Sequence, residues 1–205
     1  AGVELPREGM VWDTVAAEAH RQRGLIFDRR GEFARAAEEF QRAGALVPEQ
    51  PDYRLLESLA WGRLEDPSRR MALLRQAAEM WPLDASVLLR LGEALEGEGE
   101  VAEALVRYRR ASELDPGQGE IWLARGRAER LAGQLDAARA SLERGLAMMP
   151  RDARVRKEIG LVLEETGAAE EAYACHREAA RMAASDASLW VCVGRLARRL
   201  DRPTE

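Results

Sequence analysis

The residues of this chain best suited to nucleophilic or metal chemistry are two cysteines, Cys175 and Cys192, and two histidines, His20 and His176. Metal and dithiol motifs place such residues in short, repeated spacings so that their donor atoms converge, and no zinc-type spacing or short cysteine pair occurs here. Cys175 and His176 are adjacent, which on a helix turns their side chains about 100° apart and makes joint chelation or base–nucleophile contact poor. Both histidines therefore read as packed, partly buried residues, and the cysteines as reduced intracellular thiols rather than a disulfide. The stretch Gly97-Glu98-Gly99-Glu100 lacks the following Lys-Ser/Thr and the preceding strand of a phosphate cradle. Carboxylate pairs such as Glu38-Glu39, Glu164-Glu165 and Glu170-Glu171 read as solvated helix faces rather than general acid–base pairs. The residues predict neither an enzyme nor a bound cofactor or metal.

The elements that must carry these residues are announced by proline. Pro48, Pro82, Pro116 and Pro150 stand 34 residues apart, the mark of one supersecondary unit copied along the chain. Small residues keep the same step at Gly24, Ser58, Gly92, Gly126, Gly160 and Gly194, and again at Ala43, Ala77, Ala111, Gly145 and Ala179. Such columns let two helices approach closely. A turn column runs through Gly31, Gly99, Gly133 and Gly167, with Glu65 and Asp201 as exceptions, and supplies the left-handed residue that closes a helix. Between these marks the apolar residues step by three and four, as in Leu88, Leu91 and Leu95, and no alternating strand pattern appears. Asp66, Asp84, Asp152 and Asp186 sign helix starts. The spacing predicts helices over 11–29, 32–46, 51–63, 67–80, 85–97, 100–113, 119–131, 134–147, 153–166, 168–183 and 187–200.

Composition narrows the partners. The net charge of −5 argues against nucleic acid, which needs clustered cationic surface. No stretch reaches the length of a membrane span, and no signal-type leader opens the chain. The chain begins at Ala1 rather than Met, which leaves room for an upstream segment. Thirty of the 31 basic residues are arginine and asparagine is absent, the signature of a GC-rich genome.

The 34-residue helix–turn–helix unit, with its small and proline columns and with Trp122 and Trp190 early in first helices, resembles the tetratricopeptide repeat family. The resemblance implies an all-α, right-handed solenoid of about five and a half repeats. Their bounds are 17–50, 51–84, 85–118, 119–152 and 153–186. Residues 1–16 lead into the first helix, and 187–205 form the first helix of an incomplete sixth repeat or a cap. Repeat 51–84 departs most, because Ser58, Glu65 and Arg70 replace the glycine or alanine of their columns, so its helices are expected further apart. Arg125 and Glu129 stand where apolar residues are usual in the repeat 119–152.

In this family the first helices line a concave groove that receives extended or helical partner segments. Carried over by columns, the groove residues are Leu25, Leu59 and Leu161, with Leu55, Leu89, Leu123 and Val191 one turn earlier, unless these side chains are simply core. Charge along the groove divides as well. Repeats one to three offer Glu18, Asp28, Asp52, Glu93 and Glu96 against Arg21. The later repeats offer Arg127, Arg130, Arg154, Lys157, Arg195 and Arg198 against Glu120 and Glu164. The Lys/Asn clamp of chaperone-tail binders has no counterpart, since Lys157 is the only lysine and asparagine is absent. The resemblance thus implies a non-enzymatic adaptor for a protein or peptide segment, of the kind used in bacterial pilus, secretion or envelope assembly. Its compartment is expected to be the cytoplasm, with a periplasmic or envelope-associated site as the alternative. Two other readings remain: a regulatory repeat segment of a larger enzyme such as a kinase or transferase, and a self-assembling scaffold. The helix 187–200 is apolar around most of its circumference, so further chain or another molecule is expected to cover it. The tail Asp201–Glu205 reads as a turn opening a second helix.

Overall fold

The structure is a computed structural model that describes residues 8–201, with side chains from residue 11 onward. Every regular element among the described residues is a helix. In chain order they are α1 (Glu8–Arg29), α2 (Phe33–Leu46), α3 (Pro51–Arg63), α4 (Pro67–Met80), α5 (Ala85–Gly97) and α6 (Val101–Leu114). Then follow α7 (Gly119–Leu131), α8 (Leu135–Met148), α9 (Ala153–Glu165), α10 (Ala169–Met182) and α11 (Ala187–Arg199). The expected bounds hold to about one residue, except that α1 begins at Glu8 rather than at residue 11. The expected turn beyond Asp201, at residues 202–205, lies outside the described residues, as do residues 1–7 of the N-terminal extension.

The punctuation acts where the columns place it. The helices α2, α4, α6 and α8 end at Leu46, Met80, Leu114 and Met148, two residues before each periodic proline. Asp66 accepts from the Arg69 amide at 3.0 Å, Asp84 from Val87 at 2.9 Å, Asp152 from Arg154 at 2.8 Å and Asp186 from Ser188 at 2.9 Å. Gly31, Gly99, Gly133 and Gly167 take φ of +77°, +82°, +73° and +85°, and the two exceptions follow them, Glu65 at +56° and Asp201 at +54°. A side chain in that conformation is strained by contact of Cβ with the next carbonyl. Glu65→Gly is therefore expected to raise stability by about 1 kcal/mol in urea unfolding.

The chain divides into two compact units, residues 1–94 and 95–205. In the first, α1, α2 and α3 enclose Phe40, Ala36, Ala37 and Ala60, flanked by Leu25, Phe27, Leu56 and Trp61. Gly24 makes the crossing possible, because a Cβ there would come within 2.5 Å of the Phe40 ring. The pair α3–α4 is the loosely packed one, as Ser58 and Arg70 suggest. Of α4 only Leu74 and Ala77 are buried, whereas α2 buries six residues. The Arg70 stem fills the space beside Gly62, and its Nε is buried without a hydrogen-bond partner.

One buried acid in this unit has a consequence for stability. Glu57 is buried, and burial raises its carboxyl above the ordinary 4.5 despite a hydrogen bond from Trp61 and the Arg54 charge. The folded state then binds its proton more readily than the unfolded chain, so ionised Glu57 opposes folding at neutral pH. Glu57→Gln is expected to raise the unfolding midpoint at pH 7. That gain should shrink as pH falls from the folded value towards 4.5, where both states are becoming protonated. Urea midpoints of both chains at pH 7 and pH 5 check it.

In the second unit, α7, α8 and α9 share a core of Leu123, Ala138, Leu142, Val155 and Val162. A further core joins Leu163, Ala172 and Leu196, and Ala179, Ala180 and Leu189 form another. Gly126 lies against Leu142, and Gly160 against the His176 ring. Arg125 and Glu129 sit within this packing as a satisfied pair rather than a defect. Glu129 is 0% exposed and accepts from Arg125 Nε at 2.9 Å and from Ser141 Oγ at 2.6 Å.

Candidate partner-binding surface

Successive first helices are tied to one another by polar side chains that recur near the repeat distance. In the second unit, Glu96 at the end of α5 receives Arg127 of α7 through two hydrogen bonds, 2.6 Å from Nε and 3.0 Å from Nη2. Arg130 of α7 reaches Glu158 at 3.1 Å and Glu165 at 2.8 Å on α9. Arg154 of α9 returns to Glu120 of α7 at 2.6 Å while also holding Asp152. Glu164 of α9 takes Arg195 of α11 at 2.7–2.8 Å, and Lys157 Nζ meets Ser188 Oγ at 3.0 Å. Among its described residues the first unit shows one such rung, between Arg63 of α3 and Asp28 of α1. Two further pairs on its first helices close within one helix, Arg21 on Glu18 at 2.9 Å and Arg90 on Glu93 at 2.9 Å.

The rungs differ in what they contribute. Burial works against the Arg127 charge, but the hydrogen bonds and attraction of Glu96 outweigh it and hold its pKa above the arginine range. The same balance raises Arg130 through Glu165 and Glu158. These two rungs are partly dry and bidentate or doubly bonded, so they fix the spacing of neighbouring helices. The outer rungs are open: the Arg154 side chain is 61% exposed and that of Arg195 is 58% exposed. Exposed pairs contribute about 0–1 kcal/mol each, so their charges can be exchanged for those of a ligand at little cost.

Two expectations are corrected here. The first is the exposed leucine row. Leu55, Leu89 and Leu123 are buried in the protein, and Leu25 packs on the Phe40 cluster. Leu59 and Leu161 are half-buried, and only Val191 of that set is openly exposed. Packing against neighbouring helices consumes this column's apolar surface, as where Leu123 of α7 meets Val155 and Val162 of α9. The second is the charge division. Arg127, Arg130, Arg154 and Arg195 are each held by carboxylates, including Glu158 and Glu165, which the division omitted. The face of the second unit is therefore mixed in sign rather than basic.

The carboxylates that receive the arginines also hold second-helix side chains. Tyr108 donates to Glu96 at 2.9 Å, and His176 Nε2 lies 2.9 Å from Glu164 Oε1 in the corresponding place one repeat pair later. His176 is fully buried, and that burial lowers its pKa against the opposing pull of Glu164. Burial likewise pushes the Cys175 thiol up, which makes it a poor nucleophile. His20 is half-buried on Glu39 at 2.8 Å. Glu39 is only 3% exposed and also takes Arg42 at 2.6 Å, so one member of the Glu38-Glu39 pair is a buried anchor rather than a solvated acid. Trp122 is buried, but Trp190 in the same column is 44% exposed, its indole donating to the Ala184 carbonyl at 3.1 Å.

The helix pairs, the left-handed turn column and the small-residue crossings repeat with one period through both units. Residues 13–51 and 95–157 each match the tetratricopeptide repeat family. The chain belongs to that family. Solved tetratricopeptide-type structures superimpose on it at the level of the fold. A thermophilic tetratricopeptide protein of Thermus thermophilus gives a TM-score of 0.71 at 22% identity, over 88% of this chain and 98% of that one. PilW, described as a widely conserved type IV pilus biogenesis factor, gives 0.81 at 20% identity, over 90% of this chain and 86% of that one. The human protein O-mannosyl-transferase TMTC1 is 29% identical over 110 residues, 52% of this tetratricopeptide chain. The chain spans about 12% of that relative's length. No helix among the described residues is long and apolar enough to cross a membrane.

The ladder of rungs escaped the sequence reading, although a signal for it exists. Opposite charges recur at separations of 31, 34 and 35 residues, as in Glu96/Arg127, Glu164/Arg195, Glu120/Arg154 and Arg130/Glu165. Those separations are the repeat length, one residue more, or one helical turn less, which keeps partners on one face of neighbouring first helices.

Proposed function

We propose that this tetratricopeptide chain is a non-enzymatic scaffold that takes a segment of a partner protein on the first-helix face of α7, α9 and α11. The observation that carries this reading is the set of open rungs at Arg154, Lys157 and Arg195. Their charges are held in fixed positions by partners from the neighbouring repeat, yet remain accessible. A partner segment carrying both signs of charge can replace those contacts one for one, with Val191 offering an apolar foothold at one end. Charge then sets orientation and encounter rate, in the way complementary interfaces generally work.

The test is affinity capture from the source cell with the full chain and two charge-reversed variants. Arg154→Glu with Lys157→Glu alters the first-helix face. Arg110→Glu with Arg139→Glu alters second helices to the same extent. Captured partner should fall about tenfold or more in the first variant, the size of a lost charge-pair set, and hold in the second. Equal capture by both variants, or loss only in the second, contradicts the reading.

The likeness to PilW supports a finer proposal, that the partner belongs to pilus, secretion or envelope assembly. Fractionation of the source cell tests where the chain works, the cytoplasm being our first proposal and the envelope the second. The match to TMTC1 favours a second reading, a regulatory repeat segment within a larger enzyme. A catalytic domain on the same gene product would decide for it. Self-assembly through α11 is a third, resting on Trp190 and Val191, and predicts sedimentation that rises with concentration and returns to monomer in Val191→Asp.

A further inference from the structure

Glu164, His176 and Cys192 stand on three successive helices of the second unit, α9, α10 and α11. One carboxylate oxygen, one ring nitrogen and the Cys192 sulfur lie within 4.8 Å of one another. We propose that these three side chains bind one zinc-class divalent cation.

The donor set selects the class of metal. An oxygen, an imidazole nitrogen and a thiolate together suit borderline cations such as zinc, whereas magnesium and calcium prefer oxygen throughout. Three protein ligands leave one position of a tetrahedral site open.

The histidine is prepared for this role. Its ring is fixed by contact with Gly160, where a Cβ would come within 2.6 Å of Cε1. It is 0% exposed, and its Nδ1 has no hydrogen-bond partner. A carboxylate can only accept, so a neutral His176 must place its proton on Nε2 to bond Glu164, which leaves the Nδ1 lone pair buried and unsatisfied. Nε2, the nitrogen beside Glu164, is the ligand atom; the cation takes the place of its proton, and the ring's one remaining proton then sits on Nδ1. On binding, the Cys192 thiol releases its proton to solvent and becomes the thiolate ligand. Arg195 contacts both oxygens of Glu164, at 2.8 and 2.7 Å, so it can keep one oxygen while the metal takes the other and thereby orient the ligand.

The adjacent Cys175-His176 pair is not the site. The structure brings His176 to Cys192 of the next helix, a meeting that no short motif records. The site shares the Glu164–Arg195 pair with the first-helix face, but cobalt spectroscopy reads the metal and capture reads the partner, so either can fail without the other.

Cobalt(II) is the probe, because thiolate coordination gives it a sulfur-to-metal absorption and a tetrahedral visible spectrum. The reduced, chelator-treated full chain should bind one equivalent of cobalt with both bands, and zinc should bleach them. Cys192→Ser, a near-isosteric change at a half-buried position, should abolish the sulfur band while circular dichroism stays unchanged. Cys175→Ser should keep it. Glu164→Gln should weaken cobalt binding at least tenfold, and zinc should raise the melting temperature of the wild-type chain but not of Cys192→Ser. A folded wild-type chain with no sulfur band overturns the proposal. So does a band that survives Cys192→Ser or disappears in Cys175→Ser.

Discussion

Replacing Glu129 by alanine is expected to destabilise the second unit by about 3–5 kcal/mol, the cost of removing one partner from a buried ion pair. Glu129 has no exposed surface, and both its oxygens are used, one by Arg125 and one by Ser141. The Arg125 side chain is three-quarters buried over Trp122, with its guanidinium carbon 5.2 Å from the ring centroid. Without the carboxylate, that charge stays in the packing with only the Ser112 hydroxyl, at 3.0 Å, to receive it. The double variant Arg125→Leu with Glu129→Leu should recover much of the loss, since replacing both charges by apolar volume removes the desolvation cost as well as the attraction. Urea unfolding of the full chain measures both. A single variant within about 1 kcal/mol of wild type, or a double variant no better than the single, would show that the pair is not buried as described.

Gly126→Leu is expected to cost about 2–3 kcal/mol by overpacking. A Cβ at Gly126 would lie 2.6 Å from Leu142 Cγ and 3.2 Å from the Ala138 carbonyl oxygen. The side chain could swing away, but the backbone oxygen belongs to the facing helix and moves only if α7 and α8 separate. Adding Leu142→Ala should relieve part of the cost and no more, because the backbone contact remains. Gly194 is the contrasting member of the same column. No atom lies within 4 Å of its virtual Cβ, so Gly194→Ala should be neutral or mildly stabilising through helix propensity. Thermal unfolding of the three chains separates a packing role for the column from a purely conformational one.

The difference between Gly126 and Gly194 also marks what was legible in the sequence. Columns of small residues, prolines and turn glycines are local signals, so the helices could be placed to about a residue. The left-handed conformation extends even to Glu65, where the residue type argued against it. Position in the repeat outweighed side-chain preference there. What a column faces is a different question. Leu123 and Leu161 share a helix face by spacing, yet one is buried and the other half-buried, because burial depends on the neighbouring repeat. For the same reason Glu39 looked like a surface acid and is buried on His20, 19 residues away, while Glu129, at a position usually apolar, is buried and satisfied by Ser141, 12 residues away. Arg127 and Arg130 looked like free steering charges and are locked to carboxylates. The convergence of His176 on Cys192 lay hidden between helices in the same way.

The claim that the first-helix face of the second unit receives the partner is tested most directly by hydrogen exchange of the full chain, alone and with its captured partner. Exchange is expected to slow in α7, α9 and α11, with α8 and α10 unchanged. Protection confined to α8 and α10 would contradict it.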